Sequence, residues 1–108
     1  MAKLKLLELR CTETEDVGKD EAYLTVDGKK VWATNGISSG ETVSLRSVAA
    51  IDFAKKAEVA LWDEDTGLFD SDDNLGKFTV TEKLAGQDEQ EHRFQQDGAD
   101  YLLIYKVL

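Results

Sequence analysis

The side chains of this sequence best able to do chemistry are carboxylates, and they are unevenly spread. Residues 13–21 carry Glu13, Glu15, Asp16, Asp20 and Glu21 beside one base, Lys19. Residues 63–73 carry Asp63, Glu64, Asp65, Asp70, Asp72 and Asp73 and no base. The chain has 22 acids, 13 bases and a formal charge of −9, and these two windows account for essentially all of the excess. Carboxylates held about 4–6 Å apart repel and raise one another's pKa values. Gathering them costs stability unless a cation offsets it. Calcium takes about six to eight oxygens from flexible loops, whereas magnesium prefers fewer carboxylates and a stricter octahedron. Zinc prefers His and Cys, and this chain has one of each, His92 and Cys11. The donor supply therefore points to calcium.

Other chemistries fit less well. Asp70, Asp72 and Asn74 match the first positions of an EF-hand loop, but Leu75 replaces its glycine and Thr81 its final glutamate. Residues 77–81 also read as strand. Ser38, Ser39 and Gly40 lack the context of a nucleophile elbow. No phosphate loop, dinucleotide fingerprint or nucleophile–base pair is present. Paired acids suit glycoside hydrolysis, but no aromatic sugar cleft is evident. Cys11 reads as a small buried strand residue, and His92 as a strand or loop residue between Glu91 and Arg93. Trp32 and Trp62 read as core or rim anchors. Trp62, beside Asp63, is placed to report on a bound ion.

The elements that must position these acids follow a period of two. Strands are expected over 3–13, 22–26, 29–34, 42–47, 57–62, 76–81, 91–95 and 100–108. The alternation slips at Leu6 and Leu7, which predicts a bulge or a strand covered on both faces. Asp27-Gly28 between two alternating runs predicts a hairpin, and Asp97-Gly98 predicts a second turn. Segments 48–56 and 82–88 have room for a helical turn at most. The length of 108 residues suits one domain. The expected architecture is all-β, an eight-stranded antiparallel β-sandwich over residues 1–108. In a sandwich several loops share one end, so the acidic windows, about 50 residues apart, are able to meet.

The sequence resembles the C2 domain family over nearly its whole length. The most specific match is Val59, Ala60, Leu61, Trp62, Asp63, Glu64 and Asp65, followed by Asp73, Asn74, Leu75 and Gly76. Calcium-binding C2 domains show a strand ending in an aromatic residue, then Asp-x-Asp, then a third Asp three residues before a glycine. Here the stretch from Asp65 to Asp73 is slightly longer than that pattern. In the first loop the family shows an acid, a glycine and then Ser-Asp-Pro-Tyr. The corresponding stretch runs from Glu15 through Gly18 to Glu21, Ala22 and Tyr23, and the proline is missing.

The resemblance implies one or two calcium ions between the two loops. Asp63 and Asp65 are then central ligands, Asp73 closes the site, and the Glu64 carbonyl is a backbone ligand. Asp16 or Glu15, and Asp20 or Glu21, come from the first loop. Asp70 and Asp72 lie in the enlarged part of the second loop, in reach of a second ion. It also implies a non-enzymatic, calcium-dependent switch for an anionic membrane or a protein partner, with Leu68 and Phe69 an apolar pair at the loop tip. The competing reading is a metal-independent interaction module with an acidic surface. Nucleic acid is not an expected partner, because phosphate binding needs a basic face. Lys29-Lys30 and Lys55-Lys56 are isolated pairs rather than a polybasic patch. No apolar run is long enough to span a membrane. The N-terminus lacks a signal-peptide pattern, which predicts a cytoplasmic location; leaderless export would look the same.

Overall fold

The break in alternation at Leu6-Leu7 has a clear structural origin. A computed structural model describes residues 2–64 and 72–108. Its first strand, β1 (Ala2–Glu13), pairs with the last, β11 (Asp100–Val107), and the register slips between Leu6 and Glu8. Leu7 is the extra residue of a bulge, and both Leu6 and Leu7 are buried. Beyond the bulge Leu9 and Cys11 resume the inward row begun by Leu4 and Leu6.

Between these strands lie β2 (Lys19–Asp20), β3 (Ala22–Val26), β4 (Lys29–Ala33), β5 (Ile37–Ser38), β6 (Thr42–Ser44), β7 (Ile51–Phe53), β8 (Lys56–Asp63), β9 (Asp73–Thr81) and β10 (Gln90–Phe94). One sheet runs β10–β11–β1, and two short strands share the free edge of β1. There β6 pairs with Glu8–Arg10 and β7 with Ala2–Leu4. The other sheet runs β4–β3–β8–β9, and β2 and β5 form a separate ladder. Every pairing is antiparallel. The eight strands expected from alternation are present. The additional strands β2, β5 and β7 are two or three residues long, too short for a period of two to register. Ile51–Phe53 is thus a strand where the sequence left room for a helical turn at most. Glu82–Leu84 forms a single 3-10 turn.

The core lies between the two sheets. Ala22, Leu24 and Val26 of β3 and Ala57, Val59 and Leu61 of β8 face Tyr101, Leu103, Tyr105 and Val107 of β11. Each leucine buried this way contributes on the order of 1.5–3 kcal/mol. Both residues of the Asp27-Gly28 turn have positive φ, 51° and 82°, as a two-residue hairpin connection requires. Gly76 has φ 141°, and a Cβ there would stand 2.9 Å from Phe94 Cδ1. The sheets therefore approach at β9 and β10 more closely than any other side chain permits.

Candidate metal centre

Strand alternation carries two acids into the end of this core. Asp20 stands two residues before Ala22, and Asp63 two residues after Leu61, so each continues an inward-facing row. They are 0% and 1% exposed. Ala22 is the cross-strand partner of Asp63, and Asp63 of Asp73. The β8–β9 register slips between Leu61 and Trp62, opposite Gly76 and Asn74, leaving Leu75 as the extra residue. That bulge returns Asp73 to the same face as Asp63.

The first acidic loop is wound around Asp20. Asp20 Oδ2 accepts the Glu15 amide at 2.8 Å and the Tyr101 hydroxyl at 2.6 Å, and Oδ1 accepts the Asp16 amide at 2.9 Å. The Thr14 hydroxyl donates to the Asp16 carbonyl at 2.6 Å, and Gly18 turns the chain with φ 100°. The loop is joined to the second acidic window through Glu21, whose amide donates to Asp63 Oδ1 at 2.9 Å and whose carbonyl accepts the Glu64 amide at 2.8 Å.

Four carboxylates converge as a result. Glu15, Asp16, Asp20 and Asp63 each present an oxygen within 4.8 Å of the others. Glu15 also groups with Asp73 and Asp97 within the same distance, so it belongs to both clusters. Among the described residues, Glu15 Oε2 and Asp63 Oδ2 are buried with no N–H or hydroxyl donor. The energetic consequence is visible in their proton affinity. Burial pushes the Glu15 carboxyl up to about 9, helped by hydrogen bonding to Asp63 and Asp16 and by the charges of Asp16 and Asp73. Burial likewise pushes Asp63 up to about 7, with hydrogen bonding to Asp16 and the charge of Asp20 acting in the same direction and hydrogen bonds from Glu15 and the Glu21 amide against it. The pair can satisfy its two oxygens by sharing a proton. A hard cation would satisfy them without one, and an all-oxygen donor set fits calcium.

The remaining sequence-derived candidates fall in three places. Glu21 supplies its backbone to the junction, and its carboxylate is not among the grouped oxygens. Asp72 accepts a hydrogen bond from the Tyr23 hydroxyl. Tyr23 belongs to the outer face, stacked on Trp62 with ring centroids 6.2 Å apart and with the Lys30 ammonium 4.2 Å from its own centroid. Asp65, Leu68, Phe69 and Asp70 lie outside the described residues.

Asp97 was not anticipated as a candidate. Asp97-Gly98 reads locally as a turn, and its φ values of 55° and 80° agree. What brings it to the site is topology: the β10–β11 connection is tied to the start of β9 by the Gln96 amide, which donates to the Leu75 carbonyl at 3.1 Å. The available signal was that this turn falls at the same end as both acidic windows.

Neither protein-family models nor curated protein sequences match the chain. Solved structures do. A structure of the C2A and C2B domains of extended synaptotagmin 2 superposes with a TM-score of 0.58 at 18% identity, covering 98% of this chain and 39% of that one. A structure described as a C2 domain gives 0.51 at 19% identity, covering 98% and 96%. Human GIVD cytosolic phospholipase A2, with a fluorophosphonate inhibitor and terbium chloride, gives 0.52 at 19% identity, covering 99% and 17%. The chain thus spans well under half of the synaptotagmin and phospholipase structures. These superpositions, over nearly the whole of an all-β antiparallel chain, show that the fold is that of a C2-like domain.

Proposed function

We propose that this domain is a non-enzymatic, calcium-binding C2-like module whose acidic pole switches its affinity for a partner. The observation that carries this reading is the pair of buried carboxylate oxygens that have no donor among the described residues, Glu15 Oε2 and Asp63 Oδ2, set within clustered acids. A buried acceptor left unpaired costs about 1–3 kcal/mol, and a bound cation removes that cost. Glu15, Asp16 and Asp63 would hold one ion. The second grouping, through Asp73 and Asp97, leaves room for another. Asp65 and Asp70 join the ligand set on the strength of the sequence pattern, with Asp72 near them in the same loop.

The switch is electrostatic. Without calcium the acidic pole is repelled by an anionic leaflet; with calcium the repulsion is cancelled. Leu68 and Phe69 then supply apolar contact to a membrane or to a protein partner. One similar structure contains terbium chloride. Terbium shares calcium's preference for oxygen, and Trp62 adjoins Asp63, which makes it a suitable luminescent probe.

The test is thermal unfolding in EDTA, millimolar magnesium and millimolar calcium. A ligand at one hundred times its Kd stabilises by about 2.7 kcal/mol, which raises the Tm by several degrees in calcium and little in magnesium. The double variant Asp63→Asn, Asp65→Asn loses the gain. Identical melting in all three conditions refutes the reading and favours a metal-independent interaction module. Co-sedimentation with phosphatidylserine vesicles, with and without calcium, then separates a membrane from a protein partner.

A further inference from the structure

We propose that Asp20 is not a ligand but the residue that positions the ligands, and that Tyr101 controls the site through it without touching the ion. This rests on the calcium-binding reading above. The four clustered acids differ in how many donors they already hold. An ionised carboxylate offers about four lone-pair sites. Asp20 has three donors: the Glu15 and Asp16 amides and the Tyr101 hydroxyl. Among the described residues Asp63 has one N–H donor, the Glu21 amide, and no N–H or hydroxyl group of another residue type reaches Glu15 Oε2 or Asp63 Oδ2. The oxygens open to a cation therefore belong to Glu15 and Asp63, with the exposed Asp16 carboxylate beside them, while those of Asp20 are engaged in holding the loop.

The geometry accounts for the division of work. Asp20 is 0% exposed, and its backbone is fixed against Ile37 in the β2–β5 ladder. From that anchor it pins the two amides immediately beneath the Glu15 and Asp16 side chains, so the loop is shaped before an ion arrives. Tyr101 is also fully buried and stands on the central strand β11, opposite Cys11 of β1. Its hydroxyl ties the first loop to the sheet that carries neither Asp63 nor Asp73. Groups that orient metal ligands from behind typically change affinity by about 10- to 100-fold when removed.

Terbium titration with tryptophan excitation, Trp62 adjoining Asp63, tests this, using wild type, Tyr101→Phe, Asp20→Asn and the double variant, well below their melting temperatures. Luminescence lifetimes in H2O and D2O count the waters on the bound ion. Tyr101→Phe is expected to weaken terbium binding about tenfold or more with the water count unchanged. Asp20→Asn is expected to weaken binding without adding a water, and the double variant to be no weaker than Asp20→Asn alone. A gain of one ion-bound water in Asp20→Asn would make Asp20 a ligand and overturn the proposal, as would wild-type affinity in Tyr101→Phe. If Asp20→Asn does not fold, Tyr101→Phe decides alone, because it keeps the buried ring. Failure of wild type to bind terbium or calcium would instead remove the calcium-binding reading on which the proposal stands.

Discussion

Replacing Asp63 with asparagine should stabilise the protein without metal while removing the calcium response proposed above. In Asp63→Asn the Oδ1 atom still accepts the Glu21 amide, which it meets at 2.9 Å. The new Nδ2 stands where Oδ2 was buried without a donor among the described residues, and it faces the oxygens of Glu15 and Asp16. One substitution therefore supplies a donor to Glu15 Oε2 and removes an orphaned acceptor at residue 63. Relief of one unpaired buried group is worth about 1–3 kcal/mol. For a domain of this size each kcal/mol moves the Tm by roughly 4–8 °C. The effect should depend on pH. Glu15 and Asp63 are both raised in the folded protein, to about 9 and about 7. Their contribution to stability is therefore fully present below the ordinary carboxylate range, near pH 4, and is lost as pH rises through 7 to 9. Wild type in EDTA should lose stability across that interval, and Asp63→Asn much less, so the gap between them widens toward pH 9. Thermal unfolding by circular dichroism at pH 5, 7 and 9, in EDTA and in calcium, measures it. An Asp63→Asn protein less stable than wild type in EDTA at pH 9 would refute the reasoning, because it would mean that the buried Oδ2 carries no cost.

Other consequences are as direct. Gly76→Ala should destabilise by about 2–4 kcal/mol, because its Cβ meets Phe94 at 2.9 Å from a backbone with φ 141°; chemical denaturation reads this, and an unchanged midpoint would contradict the close approach of the sheets. His92 stacks on Phe78 with centroids 4.0 Å apart, and burial lowers its pKa. Its imidazole should titrate below the usual histidine value in an NMR pH series, and the stability it lends should be lost as pH falls through that lowered midpoint. The Cys11 thiol is buried and pushed up by desolvation, so a thiol reagent should modify it at the rate of global or local opening; rapid stoichiometric labelling of native protein would be inconsistent with that burial.

Much of this arrangement could be read along the chain, and the reason is local. Alternation in 22–26, 57–62 and 100–108 marks strands because one face of each is apolar. Asp27-Gly28 marks a hairpin because both turn residues must take positive φ. Crowding of acids in 13–21 and 63–73 points to one end of a sandwich because sandwiches gather their loops there. What the sequence hides is whatever depends on where a row of side chains ends. Asp20, Glu21 and Asp63 look equivalent as acids. Only the continuation of the β3 and β8 rows buries Asp20 and Asp63, while Glu21 points its backbone into the junction. Asp97 is brought to the site by a connection between β10 and β11 that local sequence describes only as a turn. Ile51–Phe53 becomes a strand because β1 offers it an unpaired edge, a partner more than forty residues away.

The pairing of β1 with β11 has one more consequence, for how this chain can be built and joined. The Lys3 and Leu108 backbones exchange hydrogen bonds of 3.1 and 2.8 Å, while Glu13 and Asp100 pair at the other end of the same ladder. At about 3.4 Å per residue the two ends of this ladder stand roughly 30 Å apart, in a molecule 39 Å long. Lys3 and Leu108 are therefore neighbours at the pole remote from the acidic loops. Completing this ladder closes a loop that runs from β1 to β11 through every other strand, an entropically late and slow step in folding. A circular permutant that links the ends and opens in the exposed stretch 87–89 would make β10, β11 and β1 consecutive. The same sheet would then form from short-range hairpins. Cargo joined next to Ala2 or Leu108 would project away from the loops and leave the acidic pole uncovered.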